Sequence, residues 1–148
     1  MNSGTEEVIG VYNDTNGKID SRSFPQKMIA AVATIGLGGS AGMEGPSVYG
    51  GGVVGEWVWS KFGRIGPTED DRRTLILAGA AAGIGAVFKA PLTGIMFALE
   101  FPFKDDLAHD ALVPSLVAAV GSYLTLITID GSQPLFQFPG IATFTLET

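Results

Sequence analysis

The side chain with most chemistry to offer is Glu44, an acid set in an apolar stretch and followed at once by Gly45-Pro46. An ionisable group at membrane depth is costly to hold and marks an ion or proton path. Gly45-Pro46 predicts that a helix opens there, and a helix N-terminus presents free N–H groups and the positive end of its dipole. Ser3-Gly4 stands in the same relation to a short helical segment, Thr5–Tyr12, and adds a hydroxyl donor. Broken helices whose N-termini face a midplane point are how secondary transporters hold anions. The plainer alternative makes Glu44 a capping carboxylate at a surface turn.

Two other patterns overlap this stretch. Gly36-Leu37-Gly38-Gly39-Ser40-Ala41 fits a dinucleotide fingerprint, with Glu56 near the distance at which a ribose acceptor would stand. That fingerprint must follow a strand inside a βαβ unit, whereas Glu56 falls within the apolar run Gly55-Glu56-Trp57-Val58-Trp59. A soluble dinucleotide-binding domain is therefore a remote alternative. Gly38-Gly39-Ser40-Ala41-Gly42 fits a nucleophile elbow, with Asp105, Asp106 and His109 following in hydrolase order. A chain of 148 residues has no room for the sheet that fold needs. One histidine and no cysteine leave no thiolate or His-rich metal site.

The elements that must position these residues follow from where the charges lie. Charged residues make up 16% of the chain, against the roughly 25% usual for soluble domains. Nine Lys+Arg against fifteen Asp+Glu give a net charge of −6, which argues against nucleic acid, whose phosphates need clustered bases. From Met28 to Trp59 the charged side chains are Glu44 and Glu56; from Thr74 to Leu99 there is Lys89; from Ala111 to Ile129 there is none. A spanning helix takes about 20 mainly apolar residues, and these runs supply that length, although glycines and Pro46 interrupt the first and Lys89-Ala90-Pro91 the second. No apolar run of signal-peptide type lies in Met1–Asp20. The competing reading is a soluble domain of buried helices.

The breaks predict helices over Phe24–Ile35, Pro46–Phe62, Asp70–Phe88, Pro91–Leu99 and Asp110–Ile129, with a loop from Gly131 to Thr148. Between successive basic clusters the chain crosses out and back. Lys18, Arg22, Lys27, Lys61, Arg64, Arg72, Arg73 and Lys104 can therefore all face the cytoplasm, with Lys89 at the far turn. Gly51/Gly55 and Gly79/Gly83 have the spacing of close-packing helix faces in lipid.

At this point the residues resemble a known family. Gly42-Met43-Glu44-Gly45-Pro46 is similar to the G-[KR]-E-G-P filter motif of the CLC chloride channels and chloride/proton antiporters. Ser3-Gly4-Thr5-Glu6-Glu7 is similar to their G-S-G-I-P-E motif, and the run from Gly83 to Glu100 resembles their G-[IL]-A-A-x-F-N-A-P-L-A-G-[IV]-L-F-x-[IL]-E segment. The resemblance implies an all-α membrane protein built of broken and re-entrant helices from an inverted-repeat fold, present in part. It implies chloride as the ligand, no cofactor, no metal and no catalytic residue, a homodimer, lipid contact and a multi-pass place in the cell membrane.

The same resemblance assigns roles. Ser3 and Gly4 would face the central ion, and Ser3 favours chloride over fluoride, because the fluoride-exporting branch lacks that serine. Gly42 and the N–H groups of Met43, Glu44 and Gly45 would line the outer site, with Glu44 as gating carboxylate. The segments would be 1–27 (filter serine and cytoplasmic connection), 28–62 (the helix pair around the filter turn), 63–100 (a helix hairpin) and 101–148 (the last helix and outer loop).

The departures carry expectations of their own. Met43 replaces a Lys or Arg, Lys89 replaces an Asn, and Phe101 falls where the antiporters place an inner proton-transfer glutamate, leaving Glu100 as a substitute on a proton path. About a third of the family's membrane domain is covered. The resemblance therefore implies a chain that requires the remainder of the domain, with a non-transporting truncated membrane fragment as the alternative.

Overall fold

The computed structural model describes residues 4–13, 18–62, 68–100 and 109–133, with the backbone alone at residue 69. Every regular element among them is helical: α1 (Gly4–Asn13), α2 (Phe24–Gly36), α3 (Glu44–Phe62), α4 (Glu69–Val87), α5 (Pro91–Glu100) and α6 (Leu112–Asp130). Short 3-10 turns at Ser21–Ser23 and His109–Ala111 lead into α2 and α6.

The predicted helices are all present, with shifted ends. α3 begins at Glu44 rather than Pro46, because a proline within the first turn removes only an N–H that has no helical acceptor. α4 begins in a capping box: Thr68 Oγ1 accepts from the Asp71 N–H, and the Asp71 carboxylate accepts from the Thr68 N–H at 2.7 Å. The Asp71 carboxyl is held below its ordinary pKa by the Thr68 N–H, which contributes most, and by the Thr68 hydroxyl, which donates to the same oxygen at 2.9 Å. α4 and α5 are divided by a turn in which Lys89 takes φ +51°, a left-handed conformation, before Pro91 opens the next helix.

α4 is the hub, lying against α3, α5, α6 and α1. It runs antiparallel to α3 along a seam of glycines. A methyl carbon at Gly51 would overlap the carbonyl oxygen of Gly79; one at Gly55 would overlap that of Leu75; one at Gly83 would overlap that of Ser47. The two predicted small-residue faces therefore pack on each other, backbone to backbone. Gly94 likewise lets α5 approach α4, where a Cβ would stand 2.5 Å from the Ala81 carbonyl oxygen. Ser122 Oγ of α6 donates to the Ala82 carbonyl at 2.7 Å. Val8, Val48, Tyr49, Ile76, Leu77 and Ala80 fill the core between these helices.

Helix lengths divide the elements into two kinds. At about 1.5 Å per residue, α2 and α5 reach only about 20 and 15 Å, short of a ~30 Å hydrocarbon core. Among the described residues one stretch, His109–Asp130, is long and apolar enough to cross, with 22 residues and a mean hydropathy of 1.9. α3 and α4, 19 residues each, reach about 28 Å but are less apolar.

Candidate functional site

α1 and α3 run side by side with their N-termini together. A Cβ at Gly4 would stand 2.5 Å from the Gly45 carbonyl oxygen and 2.7 Å from Tyr49 Cβ, so only glycine allows this approach. One helix turn on, Val8 of α1 packs at Gly52 of α3. The two motifs picked out from sequence, 41 residues apart, thus place two helix starts in contact.

The start of α3 is built to leave donors free. The Ser47 N–H and Ser47 Oγ both donate to the Met43 carbonyl, at 3.0 and 2.6 Å, closing the first helical turn onto Met43. The N–H groups of Glu44 and Gly45 precede that first bond and have no acceptor inside the helix, and Pro46 has none to offer. Gly42 and Met43 lie just before the helix, and Glu44 is its exposed first residue, next to Met43, whose side chain is also exposed. Ser3 lies outside the described residues. Met43, Pro46 and Ser47 also wall an apolar cleft of about 580 Å³ between α2 and the α3–α4 pair, lined as well by Met28 and Ile35 of α2 and by Val87 of α4.

Behind the meeting point stands a polar cluster that sequence reasoning did not find. Lys27 of α2 pairs with Glu7 of α1, and its ammonium lies 4.1 Å from the centre of the Tyr49 ring. The Tyr49 hydroxyl donates to the Asp20 carbonyl at 2.6 Å and shares a 2.8 Å bond with Ser23 Oγ. Tyr49 is fully buried, so the cluster ties α1, α2 and α3 together at one point. Lys27 is therefore a partly buried link within the bundle rather than a member of a surface cluster.

The other basic residues separate by end. Arg72 is 4% exposed and its Nε donates to Glu56 Oε2 at 2.8 Å; Arg73 lies 5.9 Å from the Tyr12 ring centre; Lys18 shares a pocket with Ser60. All belong to the end of the bundle where α3 finishes and α4 begins. Lys89 lies at the opposite end, where its ammonium bonds Asp130 Oδ2 at 2.8 Å, the Gln133 carbonyl at 3.0 Å and the Gly131 carbonyl at 3.2 Å. Its charge is engaged at the C-terminus of α6, where the helix dipole favours a cation. Glu100 is the exposed last residue of α5, about 15 Å along that helix from Pro91. Arg64, Phe101, Lys104, Asp105 and Asp106 fall outside the described residues, and so does the greater part of the predicted outer loop.

Comparison with known proteins joins these features. Over 140 residues, 93% of the chain, it is 34% identical to an H(+)/Cl(-) exchange transporter ClcA of Vibrio cholerae serotype O1, covering 29% of that protein. It is 40% identical over 98 residues, 66% of the chain, to the protein of that name from Cronobacter sakazakii, covering 21% of it. It is 32% identical over 120 residues, 81% of the chain, to a chloride/fluoride channel protein of Pseudomonas syringae, covering 26% of it. The chain thus spans less than a third of the length of the curated relatives it matches. No solved structure matches it. With the family model described as voltage gated chloride channel matching residues 1–148 from end to end, the chain belongs to that family.

Proposed function

We propose that this chain supplies one half of a chloride-translocating site in a multi-pass protein of the cell membrane. The observation that carries the reading is the contact between the start of α1 at Gly4 and the start of α3 at Gly45. Two helix N-termini aimed at one region concentrate free N–H groups and positive dipole ends there. In this reading Ser3, Gly4, Gly42, Met43, Glu44 and Gly45 contribute to binding chloride. The Glu44 carboxylate is itself an anion beside the same donors, so it competes with chloride and acts as the gate. The segments 1–27, 28–62, 63–100 and 101–148 are then the successive parts of one incomplete transmembrane domain, which dimerises and touches lipid.

Magnitudes say why the site needs more than this chain. A helix N-terminus stabilises an anion by about 0.3–1 kcal/mol, reaching about 2 kcal/mol when partly buried. Two of them give at most about 4 kcal/mol. Removing a charged group from water costs several kcal/mol or more. Further donors must come from the rest of the domain. The same arithmetic favours a non-transporting role for the isolated chain.

Glu100 is available at the end of α5, but it lies at the opposite end of that helix from the turn at Lys89. Phe101, which cannot carry a proton, stands where the resemblance places the inner proton-transfer glutamate, so the reading is chloride movement without a fixed proton ratio.

A chimera provides the test. Residues 1–148 replace the matched segment of the Vibrio cholerae relative, and chloride and proton fluxes are recorded together from liposomes. The expected result is chloride flux that Glu44→Gln leaves open and nearly independent of pH. A folded chimera without chloride flux overturns the reading, as does a Glu44→Gln variant with unchanged flux and pH response. Flux of chloride from liposomes holding the 148-residue chain alone overturns the half-site assignment.

A further inference from the structure

A second recess lies at the opposite end of the bundle from Glu44. It encloses about 420 Å³ between the segment leading into α2 and the last turns of α3. One wall is apolar, made by Ile19, Val53, Val54 and the exposed Trp57; the rim is polar, made by Lys18, Ser21 and Ser60. Glu56 also lines it, but that carboxylate is paired with the buried Arg72, so it brings no net negative charge. Lys61 adds a cation at the same wall, its ammonium 5.2 Å from the centre of the Trp57 ring. The Asp20 carboxylate nearby accepts from the Arg22 N–H.

We propose that this recess binds an anionic phospholipid of the cytoplasmic leaflet. The inference rests on the membrane reading above. Its chemistry follows from the change of lining across one pocket. Val53, Val54 and Trp57 continue the apolar surface of α3, where an acyl chain lies without losing its surroundings. Three residues past Trp57, Ser60 meets Lys18 and Ser21 from the other side, and Lys61 lies over the Trp57 ring beside them, so two ammonium groups and two hydroxyls stand at this end for a phosphate. Tryptophan and lysine are the residues that settle at the boundary between hydrocarbon and headgroup. A bare ammonium near an anionic leaflet adds about 1 kcal/mol of attraction, about fivefold in binding. A zwitterionic headgroup gains little of this, and selectivity for negative lipid is the signature.

The chain reports on its own recess, since its two tryptophans are Trp57 and Trp59. With Trp59→Phe, Trp57 becomes the sole indole. The protein is placed in phosphatidylcholine vesicles carrying a minor share of brominated lipid, which quenches an indole in contact with it. Brominated phosphatidylglycerol is expected to quench Trp57 several-fold more strongly than brominated phosphatidylcholine at equal content. Lys18→Gln and Lys61→Gln together abolish the preference, whereas Lys18→Arg keeps it, which separates lost charge from lost fold. Equal quenching by the two lipids overturns the proposal and leaves the membrane reading standing. A preference that survives the double glutamine change overturns it too. Absence of quenching by both lipids overturns the proposal and the membrane reading together.

Discussion

The two sides of α3 are held in opposite ways. Toward α4 it presents Gly51 and Gly55, and backbone touches backbone with no side chain between. Toward α2 it presents Gly50, Ser47 and Pro46 across an open cleft, and no residue of α2 is buried. Ile29 and Val32 of α2 stand 70% and 72% exposed, and Leu37, just past its end, 89%. The seam fixes where the donors of Glu44 and Gly45 point, while the cleft side offers apolar surface for other parts of a larger assembly. Rigidity sits behind the site and openness beside it.

That contrast is easily broken if it is wrong. The largest effect is expected from Gly51→Ala, whose methyl overlaps a backbone oxygen that no rotamer change can move. It should destabilise by about 3 kcal/mol, the upper end of overpacking, while Val32→Ala on exposed α2 should change stability by less than about 0.5 kcal/mol. Thermal unfolding in detergent, followed by circular dichroism, compares the two. Equal losses would mean that α2 is as firmly held as the seam.

Ion pairs sharpen the same comparison. Arg72–Glu56 closes the seam with its arginine 4% exposed, whereas Lys27–Glu7 tethers α2 to α1 at 18% and 21% side-chain exposure. Removing one partner of a buried pair strands the other charge. Arg72→Met should cost about 2 kcal/mol, because the stranded Glu56 keeps 18% exposure, and Lys27→Met about 1 kcal/mol. Adding Glu56→Met to Arg72→Met should recover most of the first loss, because no charge is then left buried and alone. A double variant no more stable than Arg72→Met would show that Glu56 is solvated already.

The smallest effect belongs to the mouth of the seam, where Thr68 and Asp71 cap α4. The folded Asp71 pKa lies below its unfolded value, so its contribution is fully present above the unfolded value of about 3.9 and fades as pH falls through the folded one. An NMR titration of the Thr68 amide should show this transition, and Asp71→Asn should remove it. A transition at or above pH 4 would contradict the cap.

Much of this was legible in the sequence because it is local. Gly51/Gly55 and Gly79/Gly83 announce two packing faces by their spacing of four, and acid followed by Gly-Pro announces the start of α3. What spacing cannot give is which face meets which, so the contact of Gly4 with Gly45 had to come from three dimensions. The pairs Lys27–Glu7, Arg72–Glu56 and Lys89–Asp130 were hidden for the same reason, since they join residues 16 to 41 positions apart on different elements. Lys89 was a lone base at a far turn on paper; in the fold it is held by α6. The roles of Ser3 and Phe101 rest on motif position alone, as both lie outside the described residues.

The central place of α4 has a consequence for how the chain is made. α1, α2 and α3 all leave the ribosome before the helix whose Gly79 and Gly83 complete the seam. Twenty-eight residues separate Gly55 of α3 from Gly83 of α4, which at about 5–20 residues per second is a delay of roughly 1 to 6 s. Throughout that interval α3 carries a bare glycine stripe with no partner, among neighbours too short to cross the bilayer. The waiting ends when the α3–α4 hairpin closes.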